Sequence, residues 1–140
     1  MDIEQEDVEI RMTILLEYCK RSYEQSDNPN IHFYNIHELK NMDNEIIKLN
    51  VIHIINENWV RGGVDDENSH SFPWITRINS KGIELIEKII EELEKKISEL
   101  QDGLKSKINT KDKILTLIAF YEKDKKNKIK ILEIAGNIIS

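Results

Sequence analysis

Apolar positions along the chain fall into blocks of different period, and those periods predict a mainly helical chain interrupted by one hairpin. Over residues 7–24, Ile10, Ile14, Leu15, Tyr18 and Cys19 recur at three- and four-residue spacing, one face of a helix. Ser26-Asp27-Asn28-Pro29-Asn30 stops it with turn formers and a proline. A short edge strand is expected over 31–34, and Asn35 is expected to cap a short helix over 36–41. Asp43 is a good N-cap for a second clear helix, with Ile46, Ile47, Leu49, Val51, Ile52, Ile54 and Ile55 as its apolar run. Asn58 stands where a left-handed residue, usually Gly, closes a helix. Trp59-Val60-Arg61 and residues 72–78 are the predicted strands, joined by a loop over 62–70 that holds Gly62-Gly63 and a polar tract. Pro73 is tolerable near a strand start or on an edge.

From Ile83 onward the spacing tightens into a heptad. Ile83, Ile86, Ile90, Leu93, Ile97, Leu100 and Leu104 are separated by 3, 4, 3, 4, 3 and 4 residues. Mostly Ile at a and mostly Leu at d is the choice that favours two parallel strands, so a dimerising coiled-coil helix over 83–108 is expected. Asn79 or Ser80 caps it. Two shorter helices follow within 110–140. Ile114, Leu117, Ile118 and Tyr121 face one way in the first, and Ile131, Leu132, Ala135, Ile138 and Ile139 in the second, with the polar tract 122–128 between them. The expected division is a domain over 1–82 and a helical dimerisation region over 83–140.

Charge changes this picture only locally. The formal net charge of −6 argues against indiscriminate nucleic-acid binding. Residues 1–30 carry −5, residues 31–82 carry −2 and residues 83–140 carry +1, so the acid is concentrated at the front. The one cysteine, Cys19, lies in an apolar run; a buried thiol in a reducing cytoplasm is expected. The start, MDIEQEDVEI, lacks a basic n-region, and no apolar stretch approaches the ~18 residues of a membrane span.

Two short stretches carry a resemblance. Ile54-Ile55-Asn56-Glu57-Asn58-Trp59-Val60 is similar to the way a second helix-turn-helix helix enters a wing. Ile78-Asn79-Ser80-Lys81-Gly82-Ile83-Glu84-Leu85-Ile86 resembles the wing-exit pattern I-T-x-x-G-x-x-x-L. Over residues 7–90 the chain resembles PadR-like and YjcQ-like winged-helix proteins, with Asn58 in place of Gly and Asn79 in place of Thr. The fold class this implies is mainly α with a small β-hairpin wing: a winged helix-turn-helix followed by a coiled-coil helix and a helical tail.

The function implied is a homodimeric binder of double-stranded DNA, a transcriptional regulator or nucleoid-associated factor. Asn44, Glu45, Lys48, Asn50 and His53 would then read the major groove from the recognition helix, and Arg61, Arg77 and Lys81 would contact phosphates. Against this stand the crowded apolar positions of that helix and the acidic Asp65-Asp66-Glu67 in the wing. Winged helices also serve as protein-interaction modules, and that alternative needs no phosphate contact. Trp59 and Trp74 lie on the two predicted wing strands, where they either form an exposed aromatic contact surface or, the favoured reading, pair across the strands and fasten the wing to the core.

Catalysis, a cofactor and a metal are not expected. His32, His37, His53 and His70 are scattered, one Cys cannot build a structural zinc site, and the glutamates 84, 87, 91, 92 and 94 read as solvated helix flanks.

Overall fold

Asp43 opens the helix on which the candidate surface is built: its Oδ1 accepts hydrogen bonds from the backbone N–H of Glu45 at 2.7 Å and of Ile46 at 3.4 Å. The computed structural model describes residues 2–24, 32–67, 70–96, 104 and 109–139. The helices are α1 (Asp2–Glu24), α2 (Asn44–Asn56), α3 (Ser80–Lys96), α4 (Thr110–Lys123) and α5 (Lys125–Ile139); β1 (Val60–Glu67) and β2 (His70–Ile78) form one antiparallel hairpin. The fold is thus mainly helical with a two-stranded hairpin. Two compact units divide it: Glu9–Ile83, and Met1–Val8 together with Glu84–Ser140. Among the described residues no helix is long and apolar enough to cross a membrane.

In the first unit, α1 buries far more than one stripe. Ile10, Met12, Thr13, Ile14, Leu15, Leu16, Tyr18 and Cys19 are all buried, as in a helix covered on most sides. Burial pushes the Cys19 thiol up to about 12. The thiolate is therefore scarce, and labelling of the native chain by iodoacetamide at pH 8 should be at least tenfold slower than in denaturant. Equal rates would place Cys19 at the surface.

The segment before α2 differs from expectation. Where an edge strand and a capped helix were expected, the chain makes two 3₁₀ turns, Phe33–Asn35 and His37–Leu39. Phe33, Ile36 and Leu39 are buried at three-residue spacing, which is the period of a 3₁₀ turn and not of a strand. Asn35 does not act as a cap: the second turn has no side-chain cap, and His32 caps the first, its Nδ1 accepting from the Tyr34 N–H at 3.3 Å.

Asn58 closes α2 with φ 65°, the left-handed conformation the sequence called for. Its N–H donates to the Ile55 carbonyl at 2.9 Å, and the Trp59 N–H donates to Ile54 at 3.1 Å. This pair of bonds is a Schellman motif. Asn79 then fastens the hairpin exit to the same corner. Its Nδ2 lies 3.2 Å from the Asn58 carbonyl and 3.0 Å from Asn58 Oδ1, and its N–H donates to the Trp59 carbonyl at 3.0 Å. The two positions that depart from the winged-helix pattern are bonded to each other.

In the second unit, α3 buries Ile86, Ile89, Ile90 and Leu93. Ile89 falls outside the a and d positions, so the buried face is broader than a coiled-coil seam and is that of a helix packed in a globular core. α4 lies along it. Lys113 Nζ is 2.8 Å from Glu94 Oε1, and Thr110 Oγ1 is 3.4 Å from Glu87 Oε2. Leu104 is helical and buried, Ile83 is half-buried, and Ile97 and Leu100 lie outside the described residues. The dimerisation reading of Ile86, Ile90, Leu93 and Leu104 is therefore corrected: these side chains are already covered within one chain. The polar tract between the last two helices is also shorter than expected. Asp124 alone separates α4 from α5, and its Oδ1 caps the Lys126 N–H at 2.8 Å.

Candidate functional site

Eight polar residues of the first unit are the sequence's candidates for contact with DNA, and their placement is uneven. Asn44 and Glu45 are exposed at the start of α2. Lys48 is bound to Glu45 at 3.2 Å, with only 19% of its side chain exposed. Asn50 is withdrawn from any groove: it is 2% exposed, accepts from Arg11 Nε at 2.8 Å and donates to the Ile46 carbonyl at 2.9 Å. A residue so satisfied serves the core, and its assignment as a base reader is corrected. His53 is half-buried, edge-on to Trp59 with ring centroids 5.7 Å apart. The exposed surface of α2 instead carries Leu49, 63% exposed.

The hairpin is longer than its composition indicates. Gly62-Gly63 and Asp65-Asp66-Glu67, expected in a loop, lie on β1 and pair with β2. The register is Arg61↔Arg77, Gly62↔Ile75, Gly63↔Trp74, Val64↔Pro73 and Asp65↔Phe72. A bulge between Arg61 and Gly62 leaves Thr76 as the extra residue, its Oγ1 donating to the Arg61 carbonyl at 3.1 Å. The glycines are required by close approach. A Cβ on Gly62 would meet the Trp74 carbonyl oxygen, and one on Gly63 would lie 2.7 Å from Cζ2 of the Trp74 indole. Trp59 and Trp74 do not pair. Trp59 is buried just before β1, whereas Trp74 lies opposite Gly63 and is 42% exposed.

Strand alternation then sorts the two faces. Val60, Val64, Pro73 and Ile78 fall on the more buried face. The opposite face carries the successive cross-strand rows Arg61 with Arg77, Gly63 with Trp74, Asp65 with Phe72, and Glu67 with His70. Phe72 is 52% exposed, and Arg61, Arg77 and Asp65 are exposed as well. Two guanidinium groups directly opposite each other oppose folding. Among the described residues neither of them, nor exposed Lys81 in the first turn of α3, has an ion-pair partner. Arg77→Glu should consequently stabilise the chain by about 0.2–1 kcal/mol in urea melts. A loss of stability would mean that Arg77 has a structural role.

The two arginines were legible as cations, and Trp74 was open to reading as an exposed contact although pairing with Trp59 was favoured; Phe72 was missed as a surface feature. The signal was present in the i, i+2 spacing of the two aromatics, which places both on one strand face. Among the described residues, no three His, Cys, Asp or Glu side chains converge as a metal site. A shallow groove of about 390 Å³ in the second unit is lined by Lys88, Glu92, Lys96, Ile134, Asn137 and Ile138. Lys96 is tied there to Glu92 at 3.3 Å.

Comparison with protein-family models, with curated proteins and with solved structures gave no match.

Proposed function

We propose that the chain is a protein-interaction module on a winged-helix-like arrangement, engaging its partner through the outward face of the β1–β2 hairpin. The observation that carries this reading is the composition of that face: Trp74 and Phe72, both substantially exposed, beside Arg61 and Arg77. Trp and Arg are the residues that dominate binding energy at interface centres. Paired across a rigid ladder, they lose little freedom when a partner covers them. Carboxylates are poor neighbours for phosphate, and Asp65 sits in the same face. A photo-crosslinking phenylalanine analogue at position 72, in a cell producing the full chain, should give protein adducts; the same analogue at exposed Glu38 should give none. Adducts at neither position would contradict the reading.

A second reading, the homodimeric DNA-binding regulator implied by the winged-helix resemblance, is favoured by one observation. Arg61, Arg77 and Lys81 are three exposed cations without ion-pair partners among the described residues, and Arg61 and Arg77 are held against their mutual repulsion. Asn44, Glu45 and Lys48 at the start of α2 would then supply the base contacts. Its opponents are charge and burial. Residues 9–83 carry eleven carboxylates against eight cations, and Asn50 is unavailable. If this reading holds, replacing the three cations by Ala should flatten the slope of log K against log salt by roughly 0.9 per lost phosphate contact. An unchanged slope would remove them from the contact.

A further inference from the structure

The hairpin face is complementary to itself, and we infer that its occupant is the same face of a second copy of this chain. This rests on the interaction-module reading and names the partner at the same site. Three adjacent rows of the face make up the patch, in order: Arg61 with Arg77, Gly63 with Trp74, and Asp65 with Phe72. Positive charge lies on one side of the central row, and a carboxylate and an aromatic ring lie on the other. The outer rows are about 13 Å apart at the rise of a β-strand.

Two faces can meet about a two-fold axis in only two ways that keep the strands aligned. An axis parallel to the strands sets the arginine row of one copy against the arginine row of the other, which like charges forbid. An axis across the strands, at the Gly63–Trp74 row, reverses the order. Arg61 then meets Asp65 of the second copy, and Asp65 meets the second copy's Arg61, as an isologous interface demands. Arg77 meets the Phe72 ring, a cation–π arrangement that also occurs twice. The two indoles come together at the axis, each lying over its own Gly63.

Every element of these three rows has a counterpart in this arrangement, and the Glu67–His70 row lies beyond them. The opposed arginines, unfavourable in one copy, each gain a partner in two. Ile86, Ile90 and Leu93 of α3 are not involved, because they are buried within the chain.

Three rows form a small patch, below the ~800 Å² per partner of a standard interface, so the dimer is weak and concentration-dependent. Half of its polar contacts are exposed ion pairs, which high salt screens.

Sedimentation of the full chain across on the order of 1 µM to 1 mM tests this. The mass should rise from 16.5 kDa toward twice that value, and less so in high salt. Arg61→Asp and Asp65→Arg, each alone, should weaken association at least tenfold, since each sets like charges across the axis. Mixed in equal amounts, they restore both ion pairs and should regain the wild-type mass. Both positions are exposed, so an unchanged helical circular-dichroism signal will show that each variant is folded.

A wild-type monomer at every concentration overturns the inference, as does a dimer that both substitutions spare or that mixing fails to restore. The crosslink at position 72 separates this failure from that of the broader reading. An adduct of twice the chain mass supports self-association. An adduct with a different protein overturns it while leaving the interaction module standing, and no adduct overturns both.

Discussion

Ile90→Asp should abolish cooperative folding of the chain and should not release folded monomers. Ile90 is 3% exposed, between Ile86 and Leu93 at 0%. A carboxylate there loses its hydration, and the surrounding apolar contacts are lost as well. Substitutions of this kind cost more than about 4 kcal/mol, close to the whole stability of a small domain. Urea and thermal melts should show a broad, weak transition, while Ile90→Val should keep a sharp one at a cost of about 0.5–1.5 kcal/mol. Sedimentation distinguishes the alternative. A seam between subunits would leave Ile90→Asp folded and monomeric, and that result would return the heptad residues to a dimer interface.

Gly82→Ala is the second large effect, and its sign runs against helix propensity. In an open helix the change would stabilise by about 1 kcal/mol. At Gly82, in the first turn of α3, a Cβ would meet the Trp59 carbonyl oxygen and lie 2.9 Å from Ile78 Cγ1. The first neighbour is backbone and cannot rotate away. That carbonyl also accepts the Asn79 N–H, the bond that sets where α3 begins. Forcing the helix off the hairpin base should cost about 3 kcal/mol in denaturant melts. A neutral or stabilising result would mean that α3 can shift without loss, and that the closely packed corner at Asn58, Trp59 and Asn79 is not a structural requirement.

Gly82 also explains how a sequence pattern can be informative about fold and silent about function. The stretch from Ile78 to Ile86 resembles a wing exit because a helix must start hard against a hairpin, and Gly82 permits that approach. The same geometry serves a DNA binder and an interaction module equally. Asn58 and Asn79 make the point at closer range. Each is a departure from the pattern when read alone, and only the structure shows that they bond to each other.

Local patterns were legible where one face decided the period. The capped start of α2, its left-handed close at Asn58, the two strands and the last two helices all follow from residues within a few positions of one another. The errors arose where a distant partner decides. Asn50 reads as a polar residue offered to solvent, because its partner Arg11 lies 39 residues earlier. Gly62-Gly63 and the acids after it read as a loop, yet the ladder continues because β2 stays in register alongside them. The heptad in α3 failed differently. Its 3–4 spacing is a subset of a broader apolar face that includes Ile89, and over two or three turns a coiled-coil stripe and a core-facing helix share that subset.

The exposed face was half legible. Arg61 and Arg77 were visible as cations, but their position opposite each other depends on register, and register across the Thr76 bulge is not written in the spacing. Trp74 was misassigned to a pairing with Trp59, because 62–70 reads as a loop; the ladder runs through it and sets Val60 opposite Ile78 and Gly63 opposite Trp74.

The central claim is that this face meets protein and not nucleic acid. Its most direct test is a mobility-shift titration of a mixed-sequence duplex with the full chain at about 20 mM salt, where phosphate contacts are strongest. The account predicts that the duplex stays free at every protein concentration up to the onset of self-association. A retarded complex that weakens steeply with salt, and is lost when Arg61, Arg77 and Lys81 are replaced by Ala, would contradict it.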